Sequence, residues 1–340
     1  MKNLYIILIT LTSLTLFSCE KMMFEDEVKT DSAKENFEYL WKQADEKYTF
    51  FSYKNIDWNQ MHDKYAAQIY EGMSEEALFS VMGNMLTELK DGHVNLMSHF
   101  NISHYDFNTR GPSNIDMRVV TDNYLPANYY ISGPFAHDFI VSGKDGGKNN
   151  EIGYIRFKEF TGTVTQDNMD FIVNRYKNTK GLIFDIRQNG GGVSNDIFNI
   201  LEHFVNAEAT LFKAYTKIGK GHEDFNEGEL AKVSPGGEYY SKRIMVLTDR
   251  GTFSSGSFFS LATKALPNMT LIGDTTGGGL GLPNGGQLPN GWNYRFSITK
   301  TLDLSGNNYE YGVPCDIFVR IDPASTTDDA VIDRAISELQ

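Results

Sequence analysis

Serine residues between a predicted strand and a predicted helix are the first candidates for chemistry in this sequence. The buried strand pattern Ile244–Leu247 leads through a short turn into Phe253–Gly256 (FSSG), where a helical pattern begins. A serine at a helix N-terminus commonly caps the helix through its hydroxyl. The position also suits a nucleophile, because the helix dipole and the free amides stabilise negative charge developing beside the hydroxyl. Both interpretations of Ser254 stay open here, and the GxSxG elbow of α/β-hydrolases does not occur.

A glycine-rich turn after another buried strand is the second candidate. The strand pattern Leu182–Ile186 runs into residues 189–192 (NGGG) and then into a helix that Ser194 is expected to cap. Backbone amides at such a turn can point at an anion or an oxyanion. A phosphate-binding loop is the rival interpretation, but neither GxGxxG nor GK[ST] is present. A tight turn with no chemical role also stays open.

His93 is the candidate base. It lies in residues 89–93 (LKDGH), where a helical pattern ends, Gly92 is expected to supply a left-handed stop, and strand-like alternation begins. A neutral imidazole can accept a hydroxyl proton near neutral pH without a large pKa shift. An isolated histidine at such a corner is more often structural, so the corner alone does not decide its role.

Three helical patterns precede this corner and predict a small N-terminal helical domain at residues 32–93. Their expected N-caps are Ser32, Asp57 and Ser74. Residues 94–150 are predicted to be a connecting region of loops and short strands. The strand candidates in this region are Met117–Thr121 and Phe139–Ser142.

Strands and helices alternate from residue 151 onward, which predicts an α/β core with parallel strands at residues 151–340. The predicted strands are Ile152–Phe157, Leu182–Ile186, Ile244–Leu247 and Met269–Ile272. The predicted helices are Gln166–Tyr176, Asn195–Phe204, Ser255–Leu266 and Asp328–Leu339. The expected fold class is α/β, with α+β elements: the small helical domain packs on a mixed α/β sheet core with strand-rich edges.

Composition excludes several classes of protein. The chain of 340 residues is long enough for two domains. Lys and Arg total 31 against 44 Asp and Glu, a formal net charge of −13, so nucleic acid is not an expected partner. The two cysteines, Cys19 and Cys315, do not provide a disulfide or zinc framework. We predict neither a metal nor a cofactor.

Residues 1–19 are typical of a secretory signal. The apolar stretch Leu4–Phe17 of about fourteen residues would reach about 21 Å as a helix, less than the roughly 30 Å of a bilayer core. Because Cys19 follows a small residue, the pattern resembles a bacterial lipobox, in which the cysteine is lipidated; plain secretion is the alternative. Residues 20–31 would then be a tether. We expect a lipoprotein of the bacterial cell envelope, at the outer membrane or facing the periplasm.

Five segments in this order resemble the C-terminal processing peptidases, also called tail-specific proteases. They are residues 89–93 (LKDGH), 185–192 (DIRQNGGG), 252–256 (TFSSG), 273–279 (GDTTGGG) and 312–317 (GVPCDI). Within that family, the chain is similar to the branch of the tricorn protease core and the retinoid-binding protein repeats. The resemblance covers about residues 35 to 339. It implies a core of the ClpP/crotonase type and a serine peptidase with a polypeptide substrate.

The resemblance also implies roles for individual residues. Ser254 matches the nucleophile, His93 the general base of the tricorn-like branch, and Glu310 the acid that completes a triad. The tricorn-like branch has a serine before its histidine where this chain has Gly92.

The implied oxyanion hole consists of the backbone amides of Ser255 and Gly191, with Gly190 as the alternative to Gly191. In the serine–lysine branch of the family, the base lies about 25 residues after the nucleophile. This chain has Gly279 there, and the preceding lysine is Lys264. A lysine base is therefore not expected.

Other functions stay open at this point. The retinoid-binding repeats use the implied fold without proteolysis, so the chain could be an inactive binder of a ligand or peptide, or a structural envelope lipoprotein. The interval 94–150 is too short for the peptide-binding PDZ domain that many family members carry, so we do not expect one. The sequence does not indicate the substrate or the oligomeric state.

Overall fold

The computed structural model of the chain describes residues 30–105, 111–142 and 147–340. The predicted signal at 1–19, including Cys19, and the tether as far as residue 29 lie outside the described residues. Within the described ranges, no helix is both long and apolar enough to span a membrane. In the same ranges, no group of His, Cys, Asp and Glu side chains is arranged to hold a metal ion.

Four helices form the N-terminal unit. They are α1 (Ala33–Lys47), α2 (Phe51–Lys54), α3 (Trp58–Ala66) and α4 (Glu75–Thr87). The side chains of Ser32, Asp57 and Ser74 each accept a hydrogen bond from the backbone N–H three residues later, which confirms the three predicted caps. Helix α2 was not predicted; it is a single short turn between the first two expected helices.

The turn after α4 differs from its prediction. The residue with a left-handed backbone is Lys90, with φ of 47°, and Gly92 does not have a positive φ. The prediction that Gly92 supplies the left-handed stop is therefore wrong. Strand β1 (Asn95–Met97) begins two residues after His93.

Helix α5 (Met117–Asn123) replaces the strand that was predicted at residues 117–121. The side chain of Asp116 caps it by accepting the Arg118 N–H. Val119 and Val120 are buried in the core that covers one face of the main sheet. The strand prediction is wrong, because the Asp116 cap and the burial of one helix face outweigh the preference of these β-branched residues for strands.

After α5, the predicted strands of the core alternate with helices as expected, and further strands that were not predicted lie between them. The further strands are β2 (Tyr130–Ser132), β3 (Phe135–Ser142), β4 (Gly147–Phe157), β5 (Gly181–Asp185), β6 (Ala209–Thr216), β7 (Glu229–Val233), β8 (Arg243–Thr248), β9 (Met269–Gly273), β10 (Pro283–Gln287), β11 (Asn293–Ser297), β12 (Thr299–Leu302) and β13 (Ile317–Phe318). The further helices are α6 (Gln166–Tyr176), α7 (Asn195–Leu201), α8 (Ser255–Thr263) and α9 (Ala330–Leu339). The predicted positions of the core elements are confirmed: their ends coincide or shift by one to three residues, except that β4 begins five residues before its predicted start.

A seven-stranded sheet forms the core, in the order β13-β9-β8-β5-β4-β3-β2. Strands β4, β5, β8, β9 and β13 are parallel, and β2 and β3 add to one edge in antiparallel pairing. Leu182 and Phe184 of β5 pack into one apolar core, while Ile183 packs into another, so the sheet is covered on both faces. The chain is thus a mixed α/β protein with a small N-terminal helical region.

Two antiparallel sheets of three strands flank this core, in the orders β1-β11-β10 and β12-β6-β7. The sequence predicts strand-rich edges but does not locate these strands. The apolar core of the helical unit includes Trp292, Tyr294 and Phe296 from the β11 region as well as Leu96 from β1. The helical unit therefore packs on the sheet that contains β1, which fixes the position of His93 just before that strand.

Candidate active site

Ser254 lies at a strained turn between β8 and α8. Its φ of 52° and ψ of −122° lie in a region that residues with a side chain rarely adopt, and such strain concentrates at functional sites. The backbone N–H donates to the carbonyl oxygen of Gly278 at 3.0 Å. The hydroxyl makes no capping hydrogen bond to α8. Ser254 is only half-buried, so its oxygen is available to a second reactant.

The imidazole of His93 meets that hydroxyl. Nε2 of His93 lies 2.9 Å from Oγ of Ser254, and the ring packs against that of Phe253 with 4.8 Å between centroids. The backbone of His93 is held at both ends: its N–H donates to Oδ1 of Asp91 at 2.8 Å, and its carbonyl accepts from Nε of Arg295 at 3.0 Å. A fixed imidazole at this distance from a hydroxyl can accept its proton.

The glycine turn stands directly against the nucleophile candidate. A Cβ placed on Gly191, where φ is 100°, would lie 2.7 Å from Cβ of Ser254 and 2.9 Å from the backbone N of Ser255. Only a glycine allows this approach. The Gly191 amide donates to Oδ1 of Asn189 at 2.9 Å, and Gly190 is exposed. The structure brings Gly191 and Ser255 together beside Ser254, and the oxyanion role of their amides stays a prediction.

Buried polar contacts lock the serine turn to the glycine turn. Oδ1 of Asp249 accepts from the backbone amides of Gln188 at 2.8 Å and Gly251 at 3.0 Å. The Oγ of Ser255 donates to the carbonyl oxygen of Gly192 at 2.6 Å. The relative position of the two turns is therefore set by side chains within the protein before any substrate binds.

Glu310 lies in a buried cluster of ionisable side chains next to the His93 corner. Its Oε2 accepts from the backbone N–H of Leu280 at 2.7 Å, and its Oε1 lies 3.6 Å from Nζ of Lys54. The same Nζ lies 3.6 Å from Oδ2 of Asp91. These contacts connect Glu310 to the backbone of His93 through Lys54 and Asp91. Whether Glu310 is the triad acid stays a prediction.

The two carboxyl groups of this cluster differ in their affinity for a proton. Burial and the negative charge of Asp91 raise the pKa of Glu310 to about 8, against the opposing effect of Lys54. Burial by itself would raise the pKa of Asp91, but the charges of Lys54 and His93 hold it below its usual value. Asp91 therefore keeps its negative charge, while Glu310 takes up a proton as the pH falls through about 8.

The position of the base in the serine–lysine branch offers no space for a side chain. A Cβ on Gly279, where φ is 76°, would lie 2.3 Å from Cε2 of Phe253. The preceding lysine, Lys264, has its Nζ 2.7 Å from Oδ1 of Asp316 and 3.1 Å from the carbonyl oxygen of Pro314. Lys264 is therefore engaged in an ion pair that does not involve Ser254.

Sequence reasoning did not assign roles to Asp91 or Lys54. Asp91 lies in the LKDGH segment, two residues before His93, and could have been considered from the sequence. Lys54 carries no local signal, because it ends a four-residue helix and reaches the site only through tertiary packing.

Comparison with known proteins places these features in a family. The sequence profile of peptidase family S41 matches residues 151–319, and that of the tricorn protease C1 domain matches residues 30–87. A solved structure of a peptidase candidate from Parabacteroides merdae ATCC 43184 is 35% identical and superposes with a TM-score of 0.84. That match covers 91% of this chain and 97% of the other.

More distant relatives match over smaller parts of their length. The carboxy-terminal processing protease CtpB of Bacillus subtilis (strain 168) is 24% identical over 161 residues, which is 47% of this chain and 32% of that protein. The chain thus spans about a third of this curated relative. The solved tricorn protease is 18% identical, with a TM-score of 0.55 over 91% of this chain and 36% of that one, and shares the fold.

Proposed function

The chain belongs to peptidase family S41, and on this premise we propose that it is a serine endopeptidase with Ser254 as nucleophile and His93 as general base. The observation that carries the proposal is the 2.9 Å separation between Nε2 of His93 and Oγ of Ser254, two residues 161 positions apart in the sequence. The strained backbone of Ser254 supports the same role, as does its hydroxyl, which makes no capping hydrogen bond to α8.

The reaction would be acyl transfer from a polypeptide substrate. His93 takes the proton from Ser254 as Oγ attacks the scissile carbonyl carbon, and the imidazolium then gives the proton to the leaving amine as the C–N bond breaks. A water molecule, deprotonated by His93, attacks the acyl carbon; the C–O bond to Oγ of Ser254 then breaks, the imidazolium returns the proton to Oγ, and the second product leaves. No step requires a cofactor.

The oxyanion of the tetrahedral intermediate would be held by the amides of Ser255 and Gly191. In the structure, the Gly191 amide donates to Asn189, so this amide has to exchange Asn189 for the oxyanion when substrate binds. Gly190 remains the alternative donor. Each well-aimed donor of this kind contributes about 10²–10³-fold to the rate.

Labelling by a fluorophosphonate probe tests the nucleophile directly. We expect the purified protein to be labelled, and the modified peptide to contain Ser254. A folded protein that no fluorophosphonate labels and that cleaves no peptide would overturn the proposal and indicate a binder on the same fold.

As the third member of the array we propose Glu310, and we expect Glu310→Gln to lower kcat by about 10²–10⁴-fold with little change in KM. The carboxylate would stabilise the imidazolium mainly in the transition state. Because the pKa of Glu310 is about 8, its charge is present above that pH and is lost as the pH falls. The ratio of kcat of the unaltered protein to kcat of Glu310→Gln should therefore be largest above pH 8 and decrease below pH 8.

Kinetics measured from pH 6 to 9 for both proteins check this expectation, with circular dichroism to confirm folding. Glu88→Gln is a matched control, since Glu88 accepts from Lys64 and Tyr65 in a partly exposed contact, and such contacts contribute about 0–1 kcal/mol. A near-normal rate of Glu310→Gln above pH 8 would remove Glu310 from the site.

For localisation, we propose lipidation at Cys19 and attachment to the bacterial envelope, on the basis of the lipobox-like segment. We expect palmitate labelling of the full chain in cells and its loss in Cys19→Ser, which should fractionate as a soluble protein. Cys315→Ser is the matched control and should keep the label. Unlabelled wild-type protein would instead indicate plain secretion.

A further inference from the structure

The buried ammonium of Lys54 holds the backbone that leads into His93. The side chain is 2% exposed, and its Nζ donates to the carbonyl oxygens of Leu89 at 3.2 Å and Lys90 at 3.1 Å. Lys90 has a left-handed φ of 47°, which is unfavourable for a residue with a side chain. Lys54 therefore stabilises an unfavourable turn three residues before the histidine.

The same ammonium lies between two buried carboxyl groups. Nζ is 3.6 Å from Oδ2 of Asp91 and 3.6 Å from Oε1 of Glu310. Asp91 in turn accepts the backbone N–H of His93 through Oδ1 and the hydroxyl of Tyr48 through Oδ2. Without the cation, the two carboxyl groups would face each other in a buried space, where an unbalanced charge is strongly unfavourable. Lys54 therefore supplies the charge that balances Asp91, while hydrogen bonds from Tyr48 and Ser297 help to hold the same carboxylate.

Aromatic rings complete the surroundings of this cation. The rings of Tyr48, Phe50 and Tyr311 have their centroids 5.4–5.7 Å from Nζ of Lys54. Rings at such distances attract a cation through their electron-rich faces, and they keep water away from it. The surroundings of Nζ of Lys54 thus stabilise its positive charge.

We propose that Lys54 is a positioning residue for the reaction: its ammonium fixes residues 89–91 and the Asp91 carboxylate so that His93 stays within hydrogen-bonding distance of Ser254. The inference rests on the proposed serine peptidase function. It gives the N-terminal helical unit a part in catalysis, because α2 supplies the cation. A displaced imidazole transfers the proton poorly but leaves the substrate's contacts in place, so the effect should fall on kcat.

The test compares Lys54→Met with three other variants, which are Asp91→Asn, the double variant Lys54→Met/Asp91→Asn and Lys64→Met. Lys54→Met keeps an unbranched side chain as far as Cε and removes the charged amine; we expect kcat to fall about 10²-fold, as for a catalytic group displaced by about 1 Å, with KM within twofold. The double variant Lys54→Met/Asp91→Asn should lose less than the two single losses combined, because both residues act by positioning the backbone of His93. Lys64→Met, which removes a partly exposed ion pair with Glu88 in the same helical unit, should keep the wild-type kcat.

Each result decides for or against the inference. A wild-type kcat in Lys54→Met, a loss that appears in KM alone, or fully additive losses in the double variant would overturn it. If Lys54→Met does not fold, the double variant removes the cation together with one carboxylate, and a wild-type kcat there would overturn the inference as well. In all these cases, fluorophosphonate labelling of Ser254 in the unaltered protein would leave the proposed function standing. Absence of both labelling and turnover in the unaltered protein would overturn the two together.

Discussion

Replacement of Ser254 by alanine is expected to abolish fluorophosphonate labelling and to lower kcat for peptide hydrolysis on the order of 10⁶-fold. The neighbouring serines cannot substitute for it, because their hydroxyls are engaged elsewhere. Oγ of Ser255 donates to Gly192, and Oγ of Ser257 donates to Oγ1 of Thr276. Of these three serines, Ser254 is the one whose oxygen meets an imidazole.

The fold should survive this substitution. The hydroxyl of Ser254 does not cap α8, and alanine shares the backbone preferences of serine closely enough to leave the strain of the turn in place. Kinetics, mass spectrometry of the labelled peptide and a thermal unfolding curve together make the measurement. Ser260→Ala is the matched control: this buried serine of the same helix donates to the carbonyl oxygen of Gly256 and should keep both labelling and turnover. Labelling of Ser254→Ala at wild-type level would assign the nucleophile to another residue.

The sequence indicates the candidate residues of the site but not that they lie in contact in the folded chain. Ser254 and His93 were each ambiguous in their local context, and only the order of five segments along the chain favoured a shared function. Their contact depends on the packing of the helical unit against the β11 region, through residues such as Trp292 and Phe296. Such packing joins segments that are distant in the chain, and no local periodicity reports it.

The strands that sequence analysis did not locate have a common physical cause. Strand β10 (PNGGQ) contains a proline and two glycines, which are poor strand formers, and it forms because its register places it beside β11. Strand β7 has largely exposed side chains and so lacks the apolar run of a central strand. By contrast, β5 is buried throughout and was predicted nearly to its ends. A strand that is buried on both faces of a sheet is therefore the easiest kind to recognise from the sequence.

The turn before His93 shows the same limit on a smaller scale. A glycine in LKDGH was the natural choice for the left-handed residue, yet Lys90 adopts that conformation. The preference of glycine is a local effect, whereas the hydrogen bonds from Lys54 to the carbonyls of Leu89 and Lys90 are tertiary. Where a tertiary contact stabilises an unfavourable backbone, the local rule gives the wrong residue, and such places concentrate at functional sites.

His93→Ala is expected to lower kcat about as much as Ser254→Ala, because a nucleophile and its base act as one unit. For the same reason, the double variant should be no slower than either single variant. In the unaltered protein, turnover should rise with pH over the range in which a free histidine loses its proton, roughly 6 to 7.5, and rise further through about 8 as Glu310 becomes charged. Kinetics of the two single variants and the double variant, with a pH profile of the unaltered protein, measure these effects.

Lys264→Met is the variant that separates a histidine base from a lysine base. In the unaltered protein, Nζ of Lys264 pairs with Asp316. The position where the serine–lysine branch carries its base is Gly279, whose close contact with Phe253 excludes a side chain. We therefore expect Lys264→Met to keep wild-type turnover and the same pH profile. Activity that survived in His93→Ala and was lost in Lys264→Met would assign the base to the lysine, and the 2.9 Å contact between His93 and Ser254 would then be structural.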